Sequence, residues 1–183
     1  MDSSAYKYEG YTADEYYDVI ADRENRTELI EGIIVDLASP RVFHQGLATD
    51  FCAALRSHIR KNAGKCRAFA AIDVKLDDSN IVVPDVMIGC DPEKFDEQKY
   101  NGAPDFVAEI VSTNRTNDYI RKLWLYSRSG VREYWIIDPQ LERVLVYFFE
   151  EDASPKIYDF HTPIPVNIWD GALTITIAEL ETA

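Results

Sequence analysis

Two short apolar segments of the sequence each carry a carboxylate, and few folds accept that combination. Residues 81–88 and 105–111 alternate as β-strands do, and they contain Asp85 and Glu109 respectively. Because side chains alternate between the two faces of a strand, each carboxylate shares a face with apolar side chains of its own strand. An ionised carboxylate in such surroundings is costly unless a cation or a hydrogen-bond donor pairs with it. The two segments therefore predict a partner for each carboxylate inside the fold.

The two carboxylates are predicted to lie side by side on neighbouring strands. Two like charges a few ångströms apart either raise a pKa or attract a cation, and carboxylate oxygens are ligands that Mg²⁺ prefers. Each residue taken alone also has an ordinary structural explanation. Asp85 follows Pro84 and can end a strand, or accept hydrogen bonds from backbone N–H groups at a sheet edge. The pair together favours a divalent metal site.

A helix predicted over residues 117–129 supplies a third polar group. Its apolar side chains at helical spacing indicate a core stripe of Ile120, Leu123 and Trp124. A second stripe, at i, i+4 and i+8, consists of Asp118, Lys122 and Tyr126. Asp–Lys pairs at this spacing are commonly solvent-exposed ion pairs. Because this helix is apolar nearly all round, the alternative is that Lys122 points into a cleft.

The order of the predicted elements indicates one mixed sheet covered by helices, of class α/β (α+β). A capping box of Thr12 and Glu15 begins the first helix, and Glu31-Gly32 closes a tight hairpin. The other elements are a helix over 42–62, strands over 69–76, 81–88, 105–111, 131–137 and 143–149, the helix over 117–129, and C-terminal strands over 157–160 and 172–177. A short turn makes the first two of these strands antiparallel, whereas the strand–helix–strand unit predicts a right-handed crossover between parallel strands.

The composition restricts the function less than these motifs do. The 183 residues fit one domain, 1–183. Nineteen Lys and Arg against 32 Asp and Glu give a net charge of −13, so any face that binds nucleic acid must be local. The sequence has no signal-like segment and no run of about 18 apolar residues. A cytoplasmic protein is therefore expected, with Cys52, Cys66 and Cys90 as free thiols.

Six segments of the chain form a specific set when they are taken in order. They are Glu28-Leu29-Ile30-Glu31-Gly32, Ser39-Pro40 with His44-Gln45, Val83-Pro84-Asp85, residues 103–112 (APDFVAEIVS), Asp118-x-x-x-Lys122-x-x-x-Tyr126 and residues 130–139 (GVREYWIIDP). This set resembles the Uma-type family of endonucleases, within the restriction-endonuclease-like PD-(D/E)xK superfamily. The resemblance runs from about residue 11 to about residue 147.

The resemblance implies a restriction-endonuclease-like αβββαβ core at about residues 42–138 and metal-dependent hydrolysis of phosphodiester bonds in DNA, with Mg²⁺ or Mn²⁺ as cofactor. Asp85 matches the Asp of the superfamily motif and Glu109 matches its (D/E), so both would bind the metal. The backbone carbonyl of Ile110 would be a further ligand. The motif lysine would fall at position 111, where this chain has Val111. Lys122 matches the lysine that takes its place in Uma-type sequences.

Two further residues complete the catalytic set that the resemblance implies. Glu28 matches a family glutamate before the first core helix. His44 matches a family histidine at the start of that helix, where it either contacts the metal or substrate or only caps and orients. The sequence departs from the family at residues 113–116, Thr-Asn-Arg-Thr in place of a Ser-Pro-Ser-Thr-like run, which affects the placement of Lys122. A local basic rim is expected from Arg115, Arg121, Arg128 and Arg132.

Two other functions stay open at this stage. The net charge of −13 favours a catalytically silent nuclease-fold domain that binds protein through its aromatic C-terminal strands. A hydrolase of small phosphate esters would need no basic face. Salt dependence distinguishes these functions, because duplex binding weakens steeply with salt and turnover of a small substrate hardly changes. A homodimer also stays open, since dimers are common in the superfamily.

Overall fold

The computed structural model describes residues 10–21, 25–111 and 117–180, which fold into helices packed against mixed β-sheets. The helices are α1 (Ala13–Ile20), α2 (Val42–Lys61), a π-helical segment (Asn117–Lys122) that continues into α3 (Leu123–Ser129), and α4 (Ile177–Leu180). The strands are β1 (Thr27–Ile30), β2 (Ile33–Asp36), β3 (Arg67–Ala70), β4 (Asp73–Asp77), β5 (Asn80–Val82), β6 (Val86–Gly89), β7 (Lys99–Asn101), β8 (Phe106–Ile110), β9 (Glu133–Asp138), β10 (Arg143–Phe148), β11 (Asp152–Asp159), β12 (Ile164–Pro165) and β13 (Thr174–Ile175). The predicted fold class is confirmed.

The strands divide between two main sheets instead of forming the single predicted sheet. The larger sheet has the order β11-β10-β9-β8-β6-β3, the second has the order β2-β1-β5-β4-β7, and β12 pairs with β13. In the larger sheet β8 and β9 are parallel, as the strand–helix–strand unit predicts. The predicted antiparallel pairing of the two preceding strands is also found, once in each sheet, as β3 with β6 and β4 with β5.

The division between sheets arises because two predicted strands each break near their middle. Ala71 separates β3 from β4 with a φ of 54°, and Pro84 separates β5 from β6 and has no N–H to donate. The Ala71 N–H donates to the Pro84 carbonyl at 3.2 Å, so the two breaks face each other. Asp85 follows this bend directly. The bend therefore places the first predicted metal ligand at the corner where the two sheets meet.

Both faces of the larger sheet are covered, which explains why β8 and β9 are buried along their whole length. On one face α2 packs through Phe51 and Leu55 into a cluster that includes Trp135. On the other face Leu125 and Tyr126 of α3 pack into a second cluster. No helix within the described ranges has both the length and the apolar character needed to cross a membrane.

Local signals at the N-terminus predict the structure correctly. Thr12 and Glu15 form the expected capping box of α1. Glu31 and Gly32 connect β1 to β2 with φ values of 52° and 76°, as a two-residue hairpin turn with two left-handed positions requires. Towards the C-terminus the prediction is less accurate, since the strand predicted over 172–177 is a short β13 followed by α4.

The expectation of three free thiols is wrong for two of the cysteines. Cys66 and Cys90 form a disulfide, and Cys52 is a buried free thiol. In the ladder between β3 and β6 Arg67 pairs with Gly89, so the two cysteines flank the last pair of that ladder from opposite strands. The 24-residue separation gave no C-x-x-C signal, because the pairing depends on strand register and not on local spacing.

Candidate active site

The lysine of the predicted site is buried among carboxylates. Lys122 ends the π-helical segment and is 4% exposed. Its Nζ lies 2.9 Å from Oε1 of Glu109 on β8 and 3.0 Å from Oε1 of Glu28 on β1. Because β8 and β1 belong to different sheets, Lys122 connects the two sheets at their corner. Lys122 is therefore buried between two carboxylates and is not the solvent-exposed ion pair that the other alternative predicted.

The helix that carries Lys122 presents a different face to the core from the predicted one. Ile120 and Trp124, two of the three residues of the expected core stripe, are 65% and 48% exposed, whereas Leu125 and Tyr126 are fully buried. A π-helical segment closes i→i+5 hydrogen bonds, so its faces depart from the 3.6-residue period of an α-helix. The stripe that contains Lys122 and Tyr126 therefore faces the sheet.

Tyr126 belongs to the site although it was not among the predicted catalytic residues. Its hydroxyl donates to Oε1 of Glu109 at 2.7 Å, and it is fully buried. Burial, reinforced by the charges of Glu109 and Glu28, raises the pKa of Tyr126 well above its usual value, so the hydroxyl stays protonated. Oε1 of Glu109 thus has two donors, Tyr126 and Lys122. The i+4 spacing from Lys122 was the sequence signal that could have identified Tyr126.

Asp85 lies beside Glu109, as the sequence predicts. Val86 pairs with Ala108 in the antiparallel ladder of β6 and β8, so the same register places Asp85 opposite Glu109. The Ile110 N–H donates to Oδ2 of Asp85 at 2.7 Å. This hydrogen bond ties the first proposed metal ligand to the strand that carries the second.

His44 and Glu28 reach the site from either side. His44 lies in the first turn of α2, and its Nε2 is 3.1 Å from Oδ2 of Asp85 and 3.1 Å from the Ile110 carbonyl oxygen. Glu28 is fully buried, and its Oε1 accepts the Val83 N–H at 2.8 Å. Its Oε2 is also buried and accepts no hydrogen bond from the described residues. The five predicted site residues therefore form two contact groups, Lys122 with Glu28 and Glu109, and His44 with Asp85. The register of β6 and β8 places the two groups next to each other.

Comparison with known proteins identifies the family of the chain. The model of the Uma2 family, described as "Putative restriction endonuclease", matches residues 13–169. The chain belongs to the Uma2 family. A similar solved structure is that of "a putative nuclease belonging to DUF820" from Anabaena variabilis ATCC 29413, with a TM-score of 0.77 and 23% identity, over 93% of this chain and 97% of that chain. A comparison with curated proteins gave no match. The Uma2 match confirms the resemblance, and the structural likeness confirms the fold.

The donor set of this Uma2 chain suits a hydrated hard cation. Within the described parts of the chain, no group of three or more His, Cys, Asp or Glu side chains is placed to hold a metal ion. The predicted ligands are two carboxylates, Asp85 and Glu109, and one backbone carbonyl, that of Ile110. Mg²⁺ keeps several waters and is usually bound through one or two carboxylates, not by an all-protein cage. This set of oxygens therefore fits Mg²⁺ or Mn²⁺ and would not satisfy a metal that requires four protein side chains.

Of the four arginines predicted to form a basic rim, Arg132 is neutralised by carboxylates of the protein. Arg132 pairs with Oδ1 of Asp105 at 3.2 Å and Oε1 of Glu150 at 2.9 Å. The Arg128 guanidinium lies 4.1 Å from the centre of the exposed Trp124 ring. Arg115 and the rest of the 113–116 segment lie outside the described residues. Carboxylates of the protein already pair with Arg132, whereas the ring contact leaves the charge of Arg128 in place, so the case for a basic surface at this edge is weakened at Arg132.

Tyr126→Phe is expected to destabilise the protein by about 2 kcal/mol, since a buried carboxylate loses a charge-assisted hydrogen bond. For a chain of this length the melting temperature should fall by about 5 °C. Tyr147→Phe is the matched control, because Tyr147 is also buried and, among the described residues, its contacts are stacked rings and not hydrogen bonds. A thermal melt of the two variants checks the expectation, and equal melting temperatures would show that the Tyr126–Glu109 bond contributes nothing.

Proposed function

We propose that this Uma2 protein is a metal-dependent endonuclease that hydrolyses phosphodiester bonds in DNA. The observation that carries the proposal is Lys122, buried between Glu28 and Glu109 in the corner that also holds Asp85. Buried ion pairs contribute little net stability compared with apolar side chains of the same size, so stability alone does not explain this cluster. Clusters of ionisable groups in such surroundings are typical of active sites. The description of the Uma2 family supports the nuclease class.

Asp85 and Glu109 are the proposed metal ligands, with the Ile110 carbonyl as a third oxygen. A divalent ion, when bound, supplies Lewis-acid activation of the scissile phosphate and of the attacking water. The Ile110 N–H holds Oδ2 of Asp85 at 2.7 Å, so this carboxylate is oriented before any ligand arrives. Binding would require less reorganisation from a side chain that is already fixed.

Lys122 is proposed to stabilise the negative charge that develops on the phosphate. An ammonium group that is fixed in a water-excluded site acts more strongly on such charge than one in bulk water. Glu28 and Glu109 hold Nζ of Lys122 in place, and Glu28 is in turn held by the Val83 N–H. Glu28 is therefore a positioning residue that acts through Lys122.

His44 is also proposed as a positioning residue. Its Nε2 lies at 3.1 Å from Oδ2 of Asp85 and at the same distance from the Ile110 carbonyl oxygen. A single ring nitrogen thus lies next to two of the three proposed metal ligands. Of the roles that the sequence left open for His44, orienting a neighbouring group is the one that these distances support.

A cleavage assay tests the proposed function. Supercoiled plasmid and single-stranded DNA are incubated with the wild-type protein in Mg²⁺, in Mn²⁺ and in excess EDTA, and nicked or linear products are measured over time. Cleavage is expected with either metal and not in EDTA. Glu109→Gln should lose the activity, because an amide is a weaker metal ligand than a carboxylate, while Glu97→Gln on the exposed surface should keep it.

Two outcomes of this assay would contradict the proposal. The nuclease function fails if wild type cuts DNA no faster than Glu109→Gln in the presence of metal. The assignment of DNA as the substrate fails if the protein hydrolyses only a small phosphodiester, such as bis-p-nitrophenyl phosphate, at a rate that salt does not change. The second outcome would favour the small phosphate-ester hydrolase.

A further inference from the structure

A stretch of strong positive charge lies away from the Lys122 site. Residues 51–72 contain no Asp or Glu, in a chain that has 32 of them. The same residues contain five cations, which are Arg56, Arg60, Lys61, Lys65 and Arg67. All five side chains are exposed. A local charge of this sign in a chain with a net charge of −13 is the kind of local basic face that a nucleic-acid binder requires.

The structure gathers three of these cations around a cavity. A cavity of about 430 Å³ lies between the end of α2 and β3, and Arg56, Arg60 and Arg67 line it. Apolar groups, including Ile59 and Phe69, form the rest of its wall. Its volume lies within the range of small-molecule sites, and its composition, apolar surface with a few charged groups, is typical of them.

Two of the guanidinium groups around the cavity, those of Arg56 and Arg67, are held by contacts with the protein that do not neutralise them. Nη1 of Arg56 donates to the Ala68 carbonyl at 3.0 Å. The guanidinium of Arg67 lies 5.4 Å from the centre of the Phe95 ring. Within the described ranges no carboxylate forms an ion pair with Arg56, Arg60 or Arg67. The charges of these three arginines therefore remain available for an anion, unlike the charge of Arg132, which two carboxylates neutralise.

The dipole of α2 explains only part of this cluster. Cations in the last turn of a helix stabilise its negative end, which accounts for Arg60 and Lys61. Arg56 lies one turn earlier, and Arg67 belongs to β3 on the far side of the cavity. Several like charges that converge on one cavity repel each other unless an anion offsets them.

We propose that this cavity binds phosphate groups of the nucleic acid at a second site, separate from the Lys122 corner. The planar guanidinium matches the phosphate oxygens in pairs, and the apolar wall suits the sugar or base that accompanies each phosphate. The choice of a nucleic acid as the ligand rests on the proposed function. The phosphate chemistry is shared with free nucleotides, so the test includes both.

The distance between the two sites gives the length of nucleic acid that reaches both. Arg60 follows His44 by 16 residues on α2, which corresponds to about 24 Å at 1.5 Å per residue, or about seven base-pair steps of a duplex. A duplex of about 20 base pairs is therefore long enough to contact both sites, whereas a mononucleotide can occupy only one.

Fluorescence anisotropy with a labelled duplex of about 20 base pairs, in EDTA, measures binding independently of cleavage. Arg60→Glu and Arg67→Glu are each expected to weaken binding about 10-fold or more and to reduce the slope of log affinity against log salt by about one. The matched control is Lys156→Glu, which makes the same change of charge at an exposed position on β11. The control should stay within about threefold of wild type, since long-range charge effects are screened by salt. Melting temperatures of all three variants confirm that each is folded.

Each outcome of the binding test decides the proposal. The proposal is overturned if Arg60→Glu and Lys156→Glu lose duplex affinity equally. It is also overturned if the wild-type protein binds neither the duplex nor a deoxynucleoside monophosphate. Arg60-dependent binding of the monophosphate without duplex binding supports the phosphate site and identifies its ligand as a free nucleotide. The wild-type protein could also bind the duplex in an Arg60-dependent way and yet cut no DNA in Mg²⁺. That result supports the second site and contradicts the nuclease function.

Discussion

Lys122→Ala is expected to lower the free energy of unfolding by about 3–5 kcal/mol, because it leaves two buried carboxylates without their cation. Glu28 and Glu109 are both nearly inaccessible to solvent, and each has one oxygen within 3.0 Å of Nζ of Lys122. For a chain of this length the melting temperature should fall by about 10 °C or more. A urea or thermal unfolding curve measures the loss.

A second substitution separates charge from packing. Lys122→Met keeps most of the buried methylenes, so the part of the loss that remains in Met comes from the missing charge. Adding Glu28→Gln to Lys122→Met removes one of the two carboxylates and should recover stability, which a double-mutant cycle measures. Lys75→Ala is the control for an exposed pair, since Asp78, its partner at 2.8 Å, is 85% exposed. This control should cost no more than about 1 kcal/mol.

The expectation for Lys122 would be contradicted by a small effect. If the free energy of unfolding of Lys122→Ala lies within about 1 kcal/mol of the wild-type value, the effect is no larger than that of breaking an exposed ion pair. Lys122 is then not held between the two carboxylates in solution. The role proposed for Lys122 would then lose its structural basis. If Lys122→Met instead has the free energy of unfolding of the wild type, the destabilisation in Lys122→Ala comes from lost packing and not from lost charge.

Asp85→Asn is expected to reduce the rate of DNA cleavage about 10³-fold, which corresponds to about 4 kcal/mol of transition-state stabilisation. The amide keeps the shape of the side chain, and its oxygen can still accept the Ile110 N–H that Oδ2 accepts at 2.7 Å. The fold should therefore be retained while the charge that binds the metal is lost. Initial rates of plasmid nicking at saturating Mg²⁺ measure the effect.

Asp159→Asn is the matched control for Asp85→Asn. Asp159 is an exposed carboxylate that accepts the N–H groups of His161 and Thr162 at 2.8 Å, so the same substitution also replaces an acceptor of backbone hydrogen bonds. Its cleavage rate should stay within about twofold of wild type, as expected for a surface substitution. Equal rates for Asp85→Asn and wild type would remove Asp85 from the active site.

Alternation along two strands was enough to identify Asp85 and Glu109 as unusual. A period of two fixes which side chains share a face, and a carboxylate on an apolar face needs a partner whatever the rest of the fold is. The ladder between β6 and β8 then places the two residues opposite each other. This part of the site follows from local sequence because it depends only on the strands themselves.

The position of Lys122 and the division into two sheets depend on tertiary structure. The sequence left open whether Lys122 is exposed or buried. An α-helical period predicted that Ile120 and Trp124 lie in the core, but both are exposed in the structure. A π-helical turn is not visible in hydrophobic spacing. The bends at Ala71 and Pro84 likewise divide strands whose alternation continues through the break.

Long-range pairings were the other features that the sequence could not determine. The Cys66–Cys90 disulfide requires the register of β3 and β6, and three cysteines without local spacing gave no indication of it. Arginines close in sequence to Lys122 were expected to form a basic rim, yet Arg132 pairs with Asp105 and Glu150. Proximity in sequence does not show which charges the folded chain neutralises.

Direct titration of Mn²⁺ into the wild-type protein and into Asp85→Asn, followed by the electron paramagnetic resonance signal of free Mn²⁺, tests the central claim that Asp85 and Glu109 form a divalent metal site. One Mn²⁺ is expected to bind each wild-type chain, and the affinity of Asp85→Asn should be at least about 10-fold lower, because a ligand charge is lost. Equal binding by the two proteins, or no saturable binding by wild type, would contradict the metal site and the mechanism that depends on it.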